Sequence, residues 1–155
     1  IRKAVALLEI LVNKQVQQTT QEKQANTSST SQTLFNLKLL AYERIILFIE
    51  RIKPDSFIPR TLSPSLPYQE YQLLLINEIR KEFEYNLSQQ LYLSENAWEV
   101  TVNFKDNIIT LINSAATSCP PQATASDLAR KILEHYISSD LKGDQILKIV
   151  KAEIQ

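Results

Sequence analysis

SENAWEVTVNFKDNIITLINSAA, residues 94–116, is the stretch whose reading decides the fold. Its middle, Val100 to Phe104, alternates apolar and polar residues and taken alone passes for a strand. The longer period around it is helical. Trp98, Val102, Lys105 (through its aliphatic stem), Ile109, Ile112 and Ala116 form one row, and Ala97, Phe104, Ile108 and Leu111 a second. Ser94 is a good N-cap, Glu95 complements the dipole in the first turn, and Pro120 and Pro121 close the element. The spacing predicts a helix with Trp98 substantially buried on its core side.

Upstream lies FEYNLSQQLYLSENAW, residues 83–98, where Asn86, Ser88, Gln89, Gln90 and Asn96 interrupt an apolar run. Tyr71, Leu75, Ile79, Phe83, Leu87 and Leu91 make an i+4 series, which predicts a helix from about residue 67 to 91. The polar residues then stand near a helix–helix corner, where free backbone groups need partners. Glu78 with Lys81 and Arg80 with Glu84 read as exposed pairs of about 0.2–0.5 kcal/mol each.

Further upstream, residues 32–52 repeat Ala41, Ile45, Phe48, Ile49 and Ile52 at helical spacing, widened by Leu39, Tyr42 and Ile46. This helix reads as central and ends before Pro54. KPDSFIPRTLSPSLP, residues 53–67, holds four of the six prolines and reads as an irregular connection, with Phe57, Ile58 and Leu62 tucked onto the core. Downstream, Thr124 or Ser126 caps a helix with Leu128, Ile132, Leu133, Tyr136 and Ile137 on its apolar face. Asp127–Lys131 and Arg130–Glu134 are its expected surface pairs. Gly143 marks a break before a last helix, about residues 144–154.

The N-terminal region changes character along its length. Val5, Leu8 and Val12, flanked by Ala4, Leu7 and Leu11, give residues 1–13 an apolar face. After Lys14 the sequence turns polar all round, and ANTSSTS, residues 25–31, reads as a linker or helix break. The expected organisation is an N-terminal amphipathic helix and polar tether over 1–31, then a helical domain over 32–155. The expected fold class is all-α: a bundle of four principal helices preceded by the separate N-terminal helix.

Composition supports this reading. Among 155 residues there is one glycine, too few for a fold rich in hairpin turns or for phosphate-cradling loops. Seventeen basic residues balance seventeen acidic ones, which disfavours a nucleic-acid binder. The single cysteine, Cys119, has no internal disulfide partner. No window reaches the roughly 18–20 apolar residues of a membrane span. The sequence neither begins with Met nor contains one, which reads as a fragment.

Chemical motifs are sparse. His135 is the only histidine and reads as a surface or half-buried structural residue, because one histidine cannot build a histidine-rich metal site. Cys119 lies between Ser118 and Pro120, on a different element from His135, and reads as a loop thiol. Glu78, Glu82 and Glu84 could pair for acid–base work but read as solubilising. Asn26 and Asn86 begin glycosylation-acceptor patterns that chance explains. Tyr42, Phe48, Phe83 and Trp98 fall on core stripes and read as packing residues, not a nucleotide platform. No catalytic, cofactor-binding or metal-ligating residue is singled out, and no cofactor is expected.

LLAYERIILFIERIKP, NEIRKEFEYNLSQQLYLSENAWE and IITLINSAA resemble a family of uncharacterised proteins from Bacteroidetes bacteria, over about residues 34–150. The resemblance implies a small helical protein. Such proteins often carry an N-terminal membrane-spanning helix followed by a cytoplasmic helical domain. It implies no activity and no catalytic residues. IRKAVALLEILVNK departs from it, being too short and too charged to span.

The functional expectation is a non-catalytic helical interaction or scaffold module on the cytoplasmic side, in contact with the inner face of the cell membrane through its N-terminal helix. Its partners would be a protein, or a second copy, meeting its apolar helix faces, and not nucleic acid. The alternative is an enzyme or enzyme subunit using a carboxylate/tyrosine site, which a pocket converging Glu, Tyr and His135 would favour.

Overall fold

The computed structural model describes the backbone of residues 2–154 and the side chains of residues 5–18 and 26–154. It is all-helical: α1 (Arg2–Ile52), α2 (Pro54–Thr61), α3 (Tyr68–Tyr85), a 3-10 helix (Leu87–Tyr92), α4 (Glu95–Thr117), α5 (Ala125–Ser138) and α6 (Gly143–Ala152). Among the described residues there is no strand and no positive φ. By proximity the chain divides into two units, Ile1–Lys38 and Leu39–Gln155.

Within the first unit, helix continues through residues 25–31, where the sequence suggested a break. No glycine or proline occurs before Pro54, so no strong breaker is present. Thr33 donates its hydroxyl to the Ser29 carbonyl at 2.9 Å, a local bond that a helix accommodates. Val5, Leu7, Leu8, Ile10, Leu11, Val12 and Val16 are each more than half exposed. The side chains of Arg2, Lys3 and Ala4 lie outside the described residues.

The second unit carries the core. Ala41, Tyr42, Ile45, Phe48, Ile49 and Ile52 of α1 are all buried, as the stripe required. From Tyr42 on they join Phe57 and Ile58 of α2, Tyr71, Leu75 and Ile79 of α3, Phe104 and Ile108 of α4, and Leu128 and Ile132 of α5. Helices α3, α4 and α5 pack on one another, α4 also meets α6, and α2 meets α5. Two antiparallel backbone bonds, Tyr68 N to Ala123 O (3.1 Å) and Ala125 N to Leu66 O (2.7 Å), pin the connection before α3 to the one before α5.

Several sequence expectations are corrected. The proline-rich connection contains a short helix, α2, because Pro54 at its start needs no amide hydrogen there. Phe57 and Ile58 are buried and Leu62 half-buried, as expected. Helix α3 stops at Tyr85, so the i+4 series loses its register. Phe83 is half-buried, Leu87 is 47% exposed and Leu91 81% exposed. On α4 the buried residues are Ala97, Thr101, Phe104, Ile108, Leu111, Ile112, Ala115 and Ala116: the second expected row is buried throughout, as are Ile112 and Ala116 of the first, while Trp98, Val102, Lys105 and Ile109 are only half-buried. Small Ala97 and Thr101 admit close neighbours, and Thr101 satisfies its hydroxyl on the Ala97 carbonyl at 2.7 Å. Trp98 is consequently half-buried and stacks on Phe83 at 5.4 Å between centroids. On α5, Ile137 is 73% exposed and does not share the apolar face.

The expected helix-surface pairs do not form among the described residues. Asp127 is used instead in a capping box with Thr124 and pairs with Arg130 at 3.6 Å, while Lys131 donates to the Ser118 carbonyl. The Ser94 cap forms as expected, accepting the Ala97 amide at 3.0 Å.

Ser94 also answers for the polar residues at that corner. Its hydroxyl and the Tyr42 hydroxyl both donate to Glu153 Oε2, and Asn96 donates to Glu153 Oε1 at 2.9 Å. The chain after α6 is thereby tied to α1 and to the start of α4. The Ser94 bond, then the Asn96 bond, hold the Glu153 carboxyl below its ordinary value of 4.5, against partial desolvation. This contribution is complete above the unfolded value and is lost as pH falls through the lower folded value. Glu153→Gln should lower stability at neutral pH by about 1 kcal/mol after allowance for solvent screening, roughly 2–4 °C in Tm. Thermal melts of both proteins from pH 7 down to 3 should show that difference shrinking.

Gly143 opens α6 and is buried, one residue earlier than the expected start. A Cβ there would stand 2.6 Å from Lys53 Cγ, closer still to Cδ, and 3.0 Å from Tyr136 Oη. The Lys53 stem lies in the space a side chain would take, and its ammonium reaches Asp144 at 2.9 Å and Glu50 at 3.3 Å. Gly143→Ala should therefore destabilise by about 1–3 kcal/mol through overpacking, despite alanine's better helix propensity. Denaturant unfolding at constant m-value measures it.

Candidate functional site

The second unit carries a groove of about 800 Å³ between the last turns of α1 and the C-terminal half of α3. Arg44, Leu47, Phe48 and Arg51 line the α1 wall, spaced i, i+3, i+4, i+7 beside the buried stripe. Glu78, Lys81, Glu82, Glu84, Tyr85 and Asn86 line the α3 side. The walls are held together at two levels. Arg51 donates from Nε (2.9 Å) and Nη2 (2.7 Å) to Glu82 Oε1, and Phe48 meets Phe83 with centroids 6.0 Å apart. Phe83 also carries the Trp98 ring and lies under the Lys105 ammonium at 4.1 Å.

Glu82 is the groove carboxylate that ties the two walls. Its side chain is 17% exposed, and its second oxygen, Oε2, is buried with no hydrogen-bond partner. Arg60 adds charge at 3.8 Å from Oε1 while donating to the Arg51 carbonyl at 3.1 Å. The Glu82 hydrogen bond raises the Arg51 pKa further, against desolvation. Asn86 donates its side-chain amide to the Glu82 backbone carbonyl at 2.8 Å and finishes α3. Leu47 and Tyr85, 58% and 77% exposed, leave apolar surface on each wall.

The residues weighed from the sequence are not brought together. Glu78, Glu82, Glu84 and Tyr85 share the groove, but His135 lies in a separate, smaller depression with Asn107, Thr110 and Ser139. Cys119 is buried against the Ala115 carbonyl, and burial pushes its thiol pKa up, away from the reactive thiolate. Among the described residues no group of three or more His, Cys, Asp or Glu is placed to hold a metal ion, and no helix is long and apolar enough to cross a membrane. Sequence reasoning saw the three glutamates but missed Arg44, Leu47, Arg51 and Asn86 as groove residues. The available signal was the i, i+3, i+7 row of Arg44, Leu47 and Arg51 flanking the core stripe.

The Arg51–Glu82 pair has a measurable role. Arg51→Met strands an enclosed carboxylate and should cost about 1–3 kcal/mol, the lower end applying because Arg51 is partly solvated. The double variant Arg51→Met/Glu82→Leu should recover part of that loss in equilibrium unfolding.

No curated protein and no solved structure matches the chain. One family does, over residues 3–155, almost the whole length and more than the stretch that carried the resemblance. The chain belongs to this family, DUF7935, a family of unknown function.

Proposed function

We propose that this chain is a non-catalytic helical interaction module. The observation that carries the reading is the run of exposed apolar side chains from Val5 to Val16. Seven large apolar residues on about three turns of helix expose more apolar surface than is usual for a helix in water. Another protein chain, or a second copy, covers them, the i, i+3, i+7 spacing of Val5, Leu8 and Val12 serving as anchors for a helix-in-groove contact. The second unit, residues 39–155, acts in this reading as the scaffold, with α3, α4, α5 and the last turns of α1 as the principal helices of a bundle.

A second reading has its own support. Within residues 1–16, Arg2, Lys3 and Lys14 stand against Glu9, an excess of positive charge on an amphipathic segment. That combination suits the anionic inner face of a cell membrane. For an enzyme nothing speaks comparably: the Glu82 carboxylate of the groove is engaged by Arg51 and His135 is elsewhere.

The triple variant Val5→Ser/Leu8→Ser/Val12→Ser separates these readings. Its melting temperature should stay within about 2 °C of the parent, because these side chains are outside the core. It should lose self-association in sedimentation, capture of a helical partner, or flotation with phosphatidylserine vesicles, whichever the parent shows. A large fall in melting temperature, with a parent that is monomeric and ignores vesicles and partners, contradicts the proposal.

A further inference from the structure

We propose that the α1–α3 groove is a self-complementary surface on which a second copy of this chain docks, about a two-fold axis running along the groove. This surface is distinct from the exposed N-terminal run and stands or falls without it.

The charge layout carries the inference. The α1 wall holds only basic charge, Arg44 and Arg51, whereas the α3 wall holds Glu78, Glu82 and Glu84, with Lys81 as its one cation. Arg51 and Glu82 satisfy each other within the chain. Arg44 and Glu84 are exposed, and among the described residues neither side chain makes a hydrogen bond or ion pair. Apart from that pair the α1 wall keeps Arg44 and the α3 wall keeps Glu78, Lys81 and Glu84, so the two walls are left with opposite net charge, and Arg44 and Glu84 each lie near an exposed apolar residue, Leu47 on α1 and Tyr85 on α3.

Symmetry then selects the partner. In an isologous contact the same patch faces itself. A two-fold axis across the groove would lay basic wall on basic wall. An axis along the groove exchanges the walls, so each α1 wall meets the other copy's α3 wall. The walls run in opposite directions: Arg51 reaches Glu82 and Phe48 reaches Phe83, so stepping back along α1 advances along α3. Arg44 therefore stands at the end of α3 that bears Glu84 and Tyr85. Under this axis Arg44 of one copy meets Glu84 of the other, and Leu47 meets Tyr85, twice over. Opposite charges at a rim set register and on-rate, while the apolar pairs supply burial. Ten lining residues are few beside the roughly 20–30 a side of a stable interface, so the dimer is a weak one.

The test uses the full chain carrying Val5→Ser/Leu8→Ser/Val12→Ser, so that the N-terminal surface cannot supply the association. Sedimentation equilibrium should show a reversible monomer–dimer mixture. Arg44→Glu and Glu84→Arg should each weaken dimerisation about tenfold, and the two together should restore it, with melting temperatures unchanged throughout. Arg44→Gln, which removes charge without reversing it, should weaken it less than Arg44→Glu and serves where a reversal fails to fold. A monomer at every concentration overturns the proposal. So does a dimer indifferent to the reversals, or one that the paired reversal leaves weak.

Discussion

Burial of one face of α1, from Ala41 to Ile52, is the constraint on which the rest of the second unit depends. Six consecutive stripe residues lie at or below 9% exposure, and each of the other core helices contributes side chains to the same cluster. The polar ties begin at the same segment. Tyr42 reaches Glu153, Arg51 reaches Glu82, and Lys53 reaches Asp144. Each tie spans at least 31 residues of sequence and fixes a different part of the chain to α1. The apolar face sets where α1 lies, and the flanking polar residues set how the α3 end, the α6 start and the C-terminal residues are arranged around it. The groove is a by-product of that arrangement: Arg44, Leu47 and Arg51 are what the same helix shows beside its buried face.

Sequence periodicity made the fold class legible because long helical repeats outlast local ambiguities. The strand-like Val100–Phe104 segment is helix because its neighbours on both sides keep helical spacing. Periodicity was less informative about which of two adjacent rows is buried. On α4 the row led by Trp98 was expected inside, yet only its Ile112 and Ala116 are buried, while the row with Ala97 faces inward throughout, since small residues let helices approach and a threonine hydroxyl can be satisfied by its own helix. The stripe shared with Val102, Ile109 and Ile112 argued for Trp98 inside. Its partner Phe83, half-buried at the α3 end, takes only one of its faces.

Breaks were the other weak point, in both directions. Proline at the first turn of α2 permitted a helix where a proline cluster suggested irregular chain, and the Ser/Thr run at 25–31 stayed helical for want of any glycine or proline. Leu87 and Leu91 extended a perfect i+4 series past the point where α3 ends, because a spacing rule contains no term for the cap that Asn86 supplies. The groove was legible in part. Its glutamates stood out as a carboxylate cluster, but their meeting with Arg51 depends on how α1 and α3 pair, a contact 31 residues apart that one sequence does not specify.

Native-state hydrogen exchange along α1 tests the central claim most directly. Amides from Ala41 to Ile52 should be among the slowest in the chain and should exchange only through global unfolding, with opening free energies equal to that from denaturant melts. Amides from Val5 to Val12, where the large apolar side chains are more than half exposed, should open locally and exchange far faster. Fast, local exchange at Ala41–Ile52 while α4 and α5 stay protected would contradict the account, since the core would then stand without the segment said to organise it.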